Sequence, residues 1–287
     1  MSGVVVGVIG GSGLYEMEGL EEVSEVSLDT PFGKPSDAFV KGRLGSATLY
    51  FLPRHGKGHR FLPTEVPYRA NVWALKKLGA QRIISVSAVG SMKEDIAPGH
   101  MVLPDQFIDL TKHRMGTFFG DGCVAHVGYA DPVCPHLSQV LETACKEVKV
   151  PVHRGGTYVC IEGPQFSTRA ESLLYRSWGV SVIGMTNATE AKLAREAGLS
   201  YATLALSTDY DCWRPGHEAV TADEIVKVLL QNVANAKKII RAAVPKIEPP
   251  SKVPLPESLS NAIVTDRTKI TAETRKKLDL LIGPYLK

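Results

Sequence analysis

Leu52-Pro-Arg54-His55-Gly-Lys-Gly-His59 gathers two cations and two imidazoles into one short stretch. A planar guanidinium grips an oxyanion through two parallel N–H donors, and a neighbouring imidazole can add a third. His55 and His59 also stand at the i, i+4 spacing of zinc ligands. That spacing serves a metal only on a helix, which Gly56 and Gly58 disfavour, and the glutamate of an H-E-x-x-H site is missing. A solvated basic loop is the plain alternative.

Asp209-Tyr210-Asp211 places two carboxyls two residues apart, after the apolar run Tyr201 to Leu206. Ligands of open α/β sheets bind at such strand ends. The pair could hold Mg²⁺ or Ca²⁺. It could instead read a purine, one carboxylic acid donating to N7 and the other accepting from an exocyclic amine. Tyr210 and Trp213 favour a partly buried setting, which raises carboxyl pKa values and helps an acid keep its proton. An ordinary polar turn is the competing reading. At the other end of the chain, Gly10-Gly11-Ser12-Gly13 follows a β-branched run and offers N–H groups and a hydroxyl to an anion. It fails the dinucleotide fingerprint at Glu16 and lacks the Gly-Lys-Ser/Thr of a Walker loop, so a small phosphate site and a plain turn both stay open.

These residues need elements to carry them. Strands are expected at Val4 to Ile9, Ala47 to Pro53, Arg82 to Ser87, Tyr158 to Ile161, Val180 to Met185 and Tyr201 to Ser207. Tyr68 to Leu78 reads as a helix closed by Gly79. Thr168-x-x-Glu171, Asn187-x-x-Glu190 and Thr221-x-x-Glu224 each have the form of a capping box. Helices from the first two boxes would end before Gly179 and Gly198. The alternation predicts an α/β fold whose sheet is at least partly parallel. The proline-rich stretch Val244 to Pro256 reads as an extended crossing segment leading to a short helix over Thr271 to Ile282.

Composition narrows the partners. A formal charge of +3 with no basic stripe suits a small anionic substrate and does not predict nucleic-acid binding. Five cysteines without a C-x-x-C pair argue against a disulfide framework and for a reducing compartment. The first residues lack a signal-peptide pattern, and no run of eighteen apolar residues occurs, so the expected location is cytoplasmic, with no membrane partner.

Taken in order, these segments resemble the methylthioadenosine phosphorylase branch of the purine nucleoside phosphorylases. The matching stretches are Gly7-Val-Ile-Gly-Gly-Ser-Gly-Leu14, Asp29 to Asp37, Arg54-His-Gly, Ser87-Ala-Val-Gly-Ser91 and Asp105 to Asp109. Ile161-Glu-Gly-Pro-Gln-Phe-Ser167, Arg169 to Ser172, Met185-Thr186 and Thr208-Asp-Tyr-Asp-Cys-Trp213 continue them. The resemblance runs from residue 4 to about residue 245, and nine stretches in register make it specific.

The resemblance implies a single-domain nucleoside phosphorylase fold, a mixed twisted sheet surrounded by helices. Residues 1–245 would form that domain, with the segment 246–287 packed on it or on a neighbouring subunit. The implied activity is phosphorolysis of 5′-methylthioadenosine to adenine and 5-methylthioribose 1-phosphate, with inorganic phosphate as co-substrate and no cofactor or metal. Phosphate would lie among Ser12, Arg54, His55, Ser87, Ala88 and Thr186, and Met185 would pack beneath the ribose. Phe166 would stack on the base while Ser167, Asp209, Tyr210 and Asp211 surround its polar edge, Asp209 acting as general acid. His59 and His126 would shape the 5′ pocket, His126 from a neighbouring subunit of a trimer or dimer of trimers. Val220, Ala222 and Ile225 could line an apolar hole for the methylthio group or be the buried face of a helix starting near Thr221. Ser12 and Ser87 stand where some members have threonine, and Thr189 where the family often has proline. The alternative within the family is a methylthioinosine or inosine/guanosine phosphorylase, which would carry asparagine where Asp209 stands.

Overall fold

A computed structural model describes residues 3–11, 13–214, 222–256 and 259–286, leaving out the side chains of residues 222–226. Its strands are β1 (Val5–Gly10), β2 (Glu21–Val26), β3 (Phe39–Leu44), β4 (Ala47–Pro53), β5 (Arg82–Ser91) and β6 (Met101–Leu103), then β7 (Gln106–Asp109), β8 (Val152–Arg154), β9 (Thr157–Cys160), β10 (Val182–Gly184) and β11 (Ser200–Asp209). Its α-helices are α1 (Tyr68–Lys77), α2 (Pro135–Glu147), α3 (Arg169–Ser177), α4 (Asn187–Glu196), α5 (Ala222–Ala243) and α6 (Ala272–Ile282).

These strands join in one mixed sheet with β5 at its centre. β1 runs parallel to both β4 and β5, and β11 runs parallel to β5 along its length. β10 comes back antiparallel, pairing Val182 with Ser91 and Ile183 with Gly90. The α/β reading holds, and the sheet is mixed as expected.

Alternation along the central strands sorts the core into two layers. Val6, Val8, Ile84 and Val86 pack with Leu137 and Leu141 of α2 and Ile239 and Ile240 of α5. Ile9 and Ile83, of opposite parity, pack with α1, α4 and α6 through Val72, Leu193 and Leu281. So β5 is buried on both faces from Arg82 to Ser87.

Helix stops fall where glycine permits them. Gly79, Gly179 and Gly198 take left-handed φ values of +85°, +78° and +63° just past the ends of α1, α3 and α4. Thr168 forms the expected capping box with Glu171. We expect Thr168→Ala to lower stability by about 1 kcal/mol, read as a drop in the denaturant midpoint. The Asn187 box is a correction: the N-cap of α4 is Thr186, Asn187 is buried inside the first turn, and Glu190 turns toward the sheet. Thr221 lies outside the described residues. The short strands β6 and β8 and the exposed strand β2 were not legible in sequence periodicity, because three-residue pairings and solvated strands leave no such signal, whereas α2, missed as well, does carry a helical apolar spacing at Leu137, Val140, Leu141 and Ala144.

Candidate active site

Four parallel strands, β1, β4, β5 and β11, deliver their carboxyl ends to one edge. Register pairs Gly10 with Pro53, and the Arg54 N–H donates to the Gly10 carbonyl at 2.8 Å, so the glycine turn and the arginine segment are neighbours. Ser87 and Ala88 of β5 lie opposite Ala205 and Leu206 of β11, and Asp209 pairs with Gly90 across a bulge. Ser87 and Gly90 are three residues apart, about 10 Å of strand. Extending the antiparallel register of β10 past Gly184 carries Met185 and Thr186 toward Ala88 and Ser87. Arg54, Ser87, Thr186 and Asp209 thus surround one stretch of β5.

Arg54 is 3% exposed. Its Nε and Nη2 reach the Glu190 carboxylate at 2.5 and 3.2 Å, Nη2 also donates to Ser85 Oγ at 2.7 Å, and Nη1 donates to the Val86 carbonyl at 3.0 Å. Burial works against the guanidinium charge, but adjacent Glu190 outweighs it and raises the pKa above the ordinary value. A guanidinium has five N–H groups. Four are spent on these acceptors, leaving one on Nη1. The two-bond fork expected to hold an anion is turned onto Glu190 instead. Ser85 Oγ also donates to Glu190, Asn187 Nδ2 donates to Ser85 and Thr203, and Tyr201 donates to Glu190 at 3.2 Å. The buried charge is satisfied within a closed network. Sequence reading missed Glu190 and Ser85 as partners of Arg54, and Asn187 as the donor to Ser85 behind them. The available signal was that a buried arginine needs a counter-ion.

His55 lies beside this network, its ring stacked on His59 with centroids 4.3 Å apart. Left-handed Gly56 and Gly58, at +72° and +80°, make the segment a turn rather than a helix. His55 Nδ1 is 2.8 Å from the Phe61 carbonyl. A carbonyl can only accept, so Nδ1 carries the hydrogen. Burial pushes the His55 pKa down to about 4, with smaller contributions from Arg54 and His59 in the same direction. At neutral pH, Nε2 is then an acceptor, which corrects the reading of His55 as a third donor.

The same shift has a consequence for stability. Unfolded histidine takes up its proton near pH 6.5, whereas folded His55 resists until about 4. The unfolded chain binds more protons in that window, so the stabilising effect of neutral His55 is whole above pH 6.5 and is lost as pH falls toward 4. Tm measured across this range should fall less steeply for His55→Asn than for the parent protein. Parallel slopes would refute the assignment.

The hydroxyls differ in their engagement. Ser87 Oγ is buried and has no hydrogen-bond partner among the described residues. Thr186 is buried and donates to Asn187 Oδ1 at 3.1 Å. Ala88 is exposed beside them. Met185 is half-buried against Gly163, where a Cβ would fall 2.6 Å from its sulfur.

At the far end, Thr208 donates to Asp209 Oδ2 and the Asp211 N–H donates to Asp209 Oδ1, both at 2.7 Å. Gly90 makes room for the pair: a Cβ there would stand 3.2 Å from Asp209 Oδ1 and 3.3 Å from Asp211 Cβ. Burial raises the Asp211 carboxyl above its usual range, while the Ser172 hydroxyl, donating to Oδ2, pulls it part of the way back. Tyr210 turns aside, its hydroxyl 3.4 Å from the Glu94 carbonyl and its ring edge-on to Trp213. Cys212 ties this turn to the carbonyl of Ser167 at 3.3 Å. Phe166 is 83% exposed on the same loop. His59 and His126 are exposed, and the His126 N–H donates to the Ala262 carbonyl at 2.9 Å. Ser12 and Val220 lie outside the described residues, as do the side chains of Ala222 and Ile225 at the start of α5.

The phosphorylase superfamily model matches this chain over residues 5–245, the stretch that holds both the hydroxyls and the carboxyl pair. The chain belongs to the phosphorylase superfamily. Its relatives include the S-methyl-5′-thioadenosine phosphorylase of Geobacter sulfurreducens, 61% identical over 98% of this chain and 99% of that protein. The enzyme of the same name from Thermosynechococcus vestitus is 55% identical over 98% of this chain and 99% of its own length. Among solved structures, a methylthioadenosine phosphorylase from an Antarctic soil metagenomic library superposes with a TM-score of 0.91 at 50% identity, covering 98% and 99% of the two chains. Methylthioadenosine phosphorylase from Schistosoma mansoni in complex with tubercidin gives 0.80 at 39% identity, covering 87% and 94%. The superfamily fold expected from sequence is the fold observed.

Proposed function

We propose that this chain catalyses reversible phosphorolysis of 5′-methylthioadenosine, yielding adenine and 5-methylthioribose 1-phosphate. The observation that carries the reading is the grouping of Arg54, Ser87 and Thr186 at one end of a stretch of β5, with Asp209 and Asp211 against Gly90 at the other. Such spacing suits a phosphate and a purine on either side of a ribose. Near-full-length relatives named as S-methyl-5′-thioadenosine phosphorylases support the same substrate.

In the proposed reaction a phosphate oxygen attacks C1′ as the C1′–N9 bond breaks, and the bond electrons pass to the purine. The transition state resembles an oxocarbenium ion. Ser87 donates to the phosphate together with the remaining Nη1 hydrogen of Arg54, Thr186 joins them by turning its one hydroxyl hydrogen from Asn187 Oδ1 to the phosphate, and Ser12 belongs to the same proposed group. His55 accepts from a protonated phosphate oxygen through Nε2. Arg54 and Glu190 nearly cancel in charge, so placement of donors outweighs net charge in holding the nucleophile. Asp209 hands a proton to N7 of the departing base, and Asp211, whose carboxyl burial raises above its usual range, supplies or tunes it.

Phe166 and Ser167 cover the base and Met185 the sugar. His59, His126, Val220, Ala222 and Ile225 surround the 5′ group, His126 reaching in from a neighbouring copy in a trimer or pair of trimers. Phosphate is a co-substrate, and the mechanism uses no cofactor or metal. Among the described residues no helix is long and apolar enough to cross a membrane, and we place the enzyme in the cytoplasm.

The test is direct. Purified protein is incubated with phosphate and methylthioadenosine, adenosine, methylthioinosine or inosine, and free base and sugar 1-phosphate are measured. Methylthioadenosine should be consumed fastest. Faster release of hypoxanthine than of adenine would overturn the base assignment, and release without phosphate would overturn the reaction class.

A further inference from the structure

Outside the groups used above, the most fully engaged polar side chain among the described residues is Arg114. Its side chain is 1% exposed. Nε reaches Glu162 Oε1 at 3.0 Å, Nη2 donates to the Glu162 and Ile161 carbonyls at 2.6 and 3.5 Å, and Nη1 donates to Tyr68 Oη at 3.2 Å and to the Met185 carbonyl. All five N–H groups are occupied, so none is left for a ligand. Glu162 is equally committed. It accepts from Thr64 Oγ1 at 2.8 Å and from the Lys112 and His113 N–H groups at 2.5 and 3.0 Å. Burial alone would raise its pKa, but those donors and Arg114 hold it down to about 2, so the clamp stays ionised across the working pH range.

The segments joined are the ones the proposed site depends on. Ile161 and Glu162 begin the loop that carries Phe166 and Ser167, and Met185 precedes Thr186 at the start of α4. Gly163 and Met185 are already in close approach, with no space for a side chain at 163. Tyr68 starts α1 and is fixed by its own bond to the Pro63 carbonyl at 2.7 Å. No hydrogen bond of Arg114 goes to Arg54, Ser87 or Asp209.

We propose that Arg114 is a positioning residue that locks the base-covering loop 161–167 to Met185, and so sets affinity for the nucleoside and not for phosphate. The proposal rests on the functional reading above. A guanidinium is required because three backbone carbonyls, a phenol and a carboxylate surround it in one fork. A lysine ammonium supplies charge to Glu162 but only three donors from one point.

The experiment compares the parent enzyme with Arg114→Lys, Arg114→Met and, as a milder change that keeps the guanidinium, Glu162→Gln. For Arg114→Lys we expect KM for methylthioadenosine to rise about tenfold or more while KM for phosphate stays within about twofold. Arg114→Met should behave alike, and Glu162→Gln should shift the same constant by less. Amide exchange in 161–167 and at Met185 should quicken in Arg114→Lys while Thr186, β1 and β5 stay protected. Equal rises in both KM values, full rescue by lysine, or unchanged exchange in the loop would overturn the proposal. If the arginine variants do not fold, an unchanged nucleoside KM in Glu162→Gln overturns it. Failure of the parent enzyme to release adenine with phosphate would instead sink the functional reading, and the exchange measurement would still decide whether Arg114 locks the loop.

Discussion

Asp209→Asn should lower kcat/KM for methylthioadenosine by about 10²–10⁴, a loss of roughly 3–5 kcal/mol of transition-state stabilisation. Adenine leaves with the electrons of the broken C1′–N9 bond, and a proton delivered to N7 neutralises that charge as it grows. Asn cannot deliver one. The substitution is nearly isosteric, but both Asp209 oxygens accept hydrogen bonds, from Thr208 and from the Asp211 N–H. An amide presents a donor to one of these, so some displacement of the turn adds to the chemical loss. The two contributions separate in the kinetics. A lost general acid depresses kcat, with KM for phosphate little changed, because the phosphate-side groups sit about three strand residues away. Preference for 6-amino over 6-oxo purines should also weaken, measured as the ratio of kcat/KM for methylthioadenosine and methylthioinosine. Turnover near that of the parent enzyme would remove Asp209 from the role.

The second large effect concerns the ion pair beneath the phosphate-side groups. Glu190→Gln leaves a fully buried guanidinium without its counter-ion and sets an amide N–H₂ against N–H donors. Breaking one partner of such a pair costs about 3–5 kcal/mol. Chemical denaturation should show that loss as a lower midpoint with an unchanged slope. The double variant Arg54→Met/Glu190→Leu fills similar volume without buried charge, and should recover most of the stability. It should not recover phosphorolysis, because the remaining Nη1 donor and the geometry it imposes are gone. Stability and phosphate use are therefore expected to part company between the single and double variants. Recovery of both together would show that Arg54 serves folding alone.

These two cases show what local pattern can and cannot carry. Apolar strand runs, and helices ended by glycines at 79, 179 and 198, are read from neighbours in the chain, and the central strands and three helices follow from them. The carboxyl pair is likewise local: Asp209 and Asp211 lie at the end of a strand because the apolar run ends there. Hydroxyl, arginine and histidine types suited to an oxyanion were visible as types. Their states were not. Arg54 and Glu190 are 136 residues apart in sequence, and only the packing of α4 on the sheet brings them to 2.5 Å. The Asn187-x-x-Glu190 spacing, which fits a capping box, was overridden because a buried cation attracts a carboxylate more strongly than an exposed helix end does.

Composition and spacing alone determined that this chain forms an α/β sheet with anion-binding residue types and an acidic pair at strand ends, since those depend on side-chain periodicity and backbone preference. Tertiary structure decided which donors stay free. Antiparallel return of β10 directs Thr186 toward Ser87, the Phe61 carbonyl selects the His55 tautomer, and Glu190 takes the fork of Arg54. Each is a contact between segments distant in sequence or set by a turn, and hydrogen-bond direction exists only once the partners have met in space.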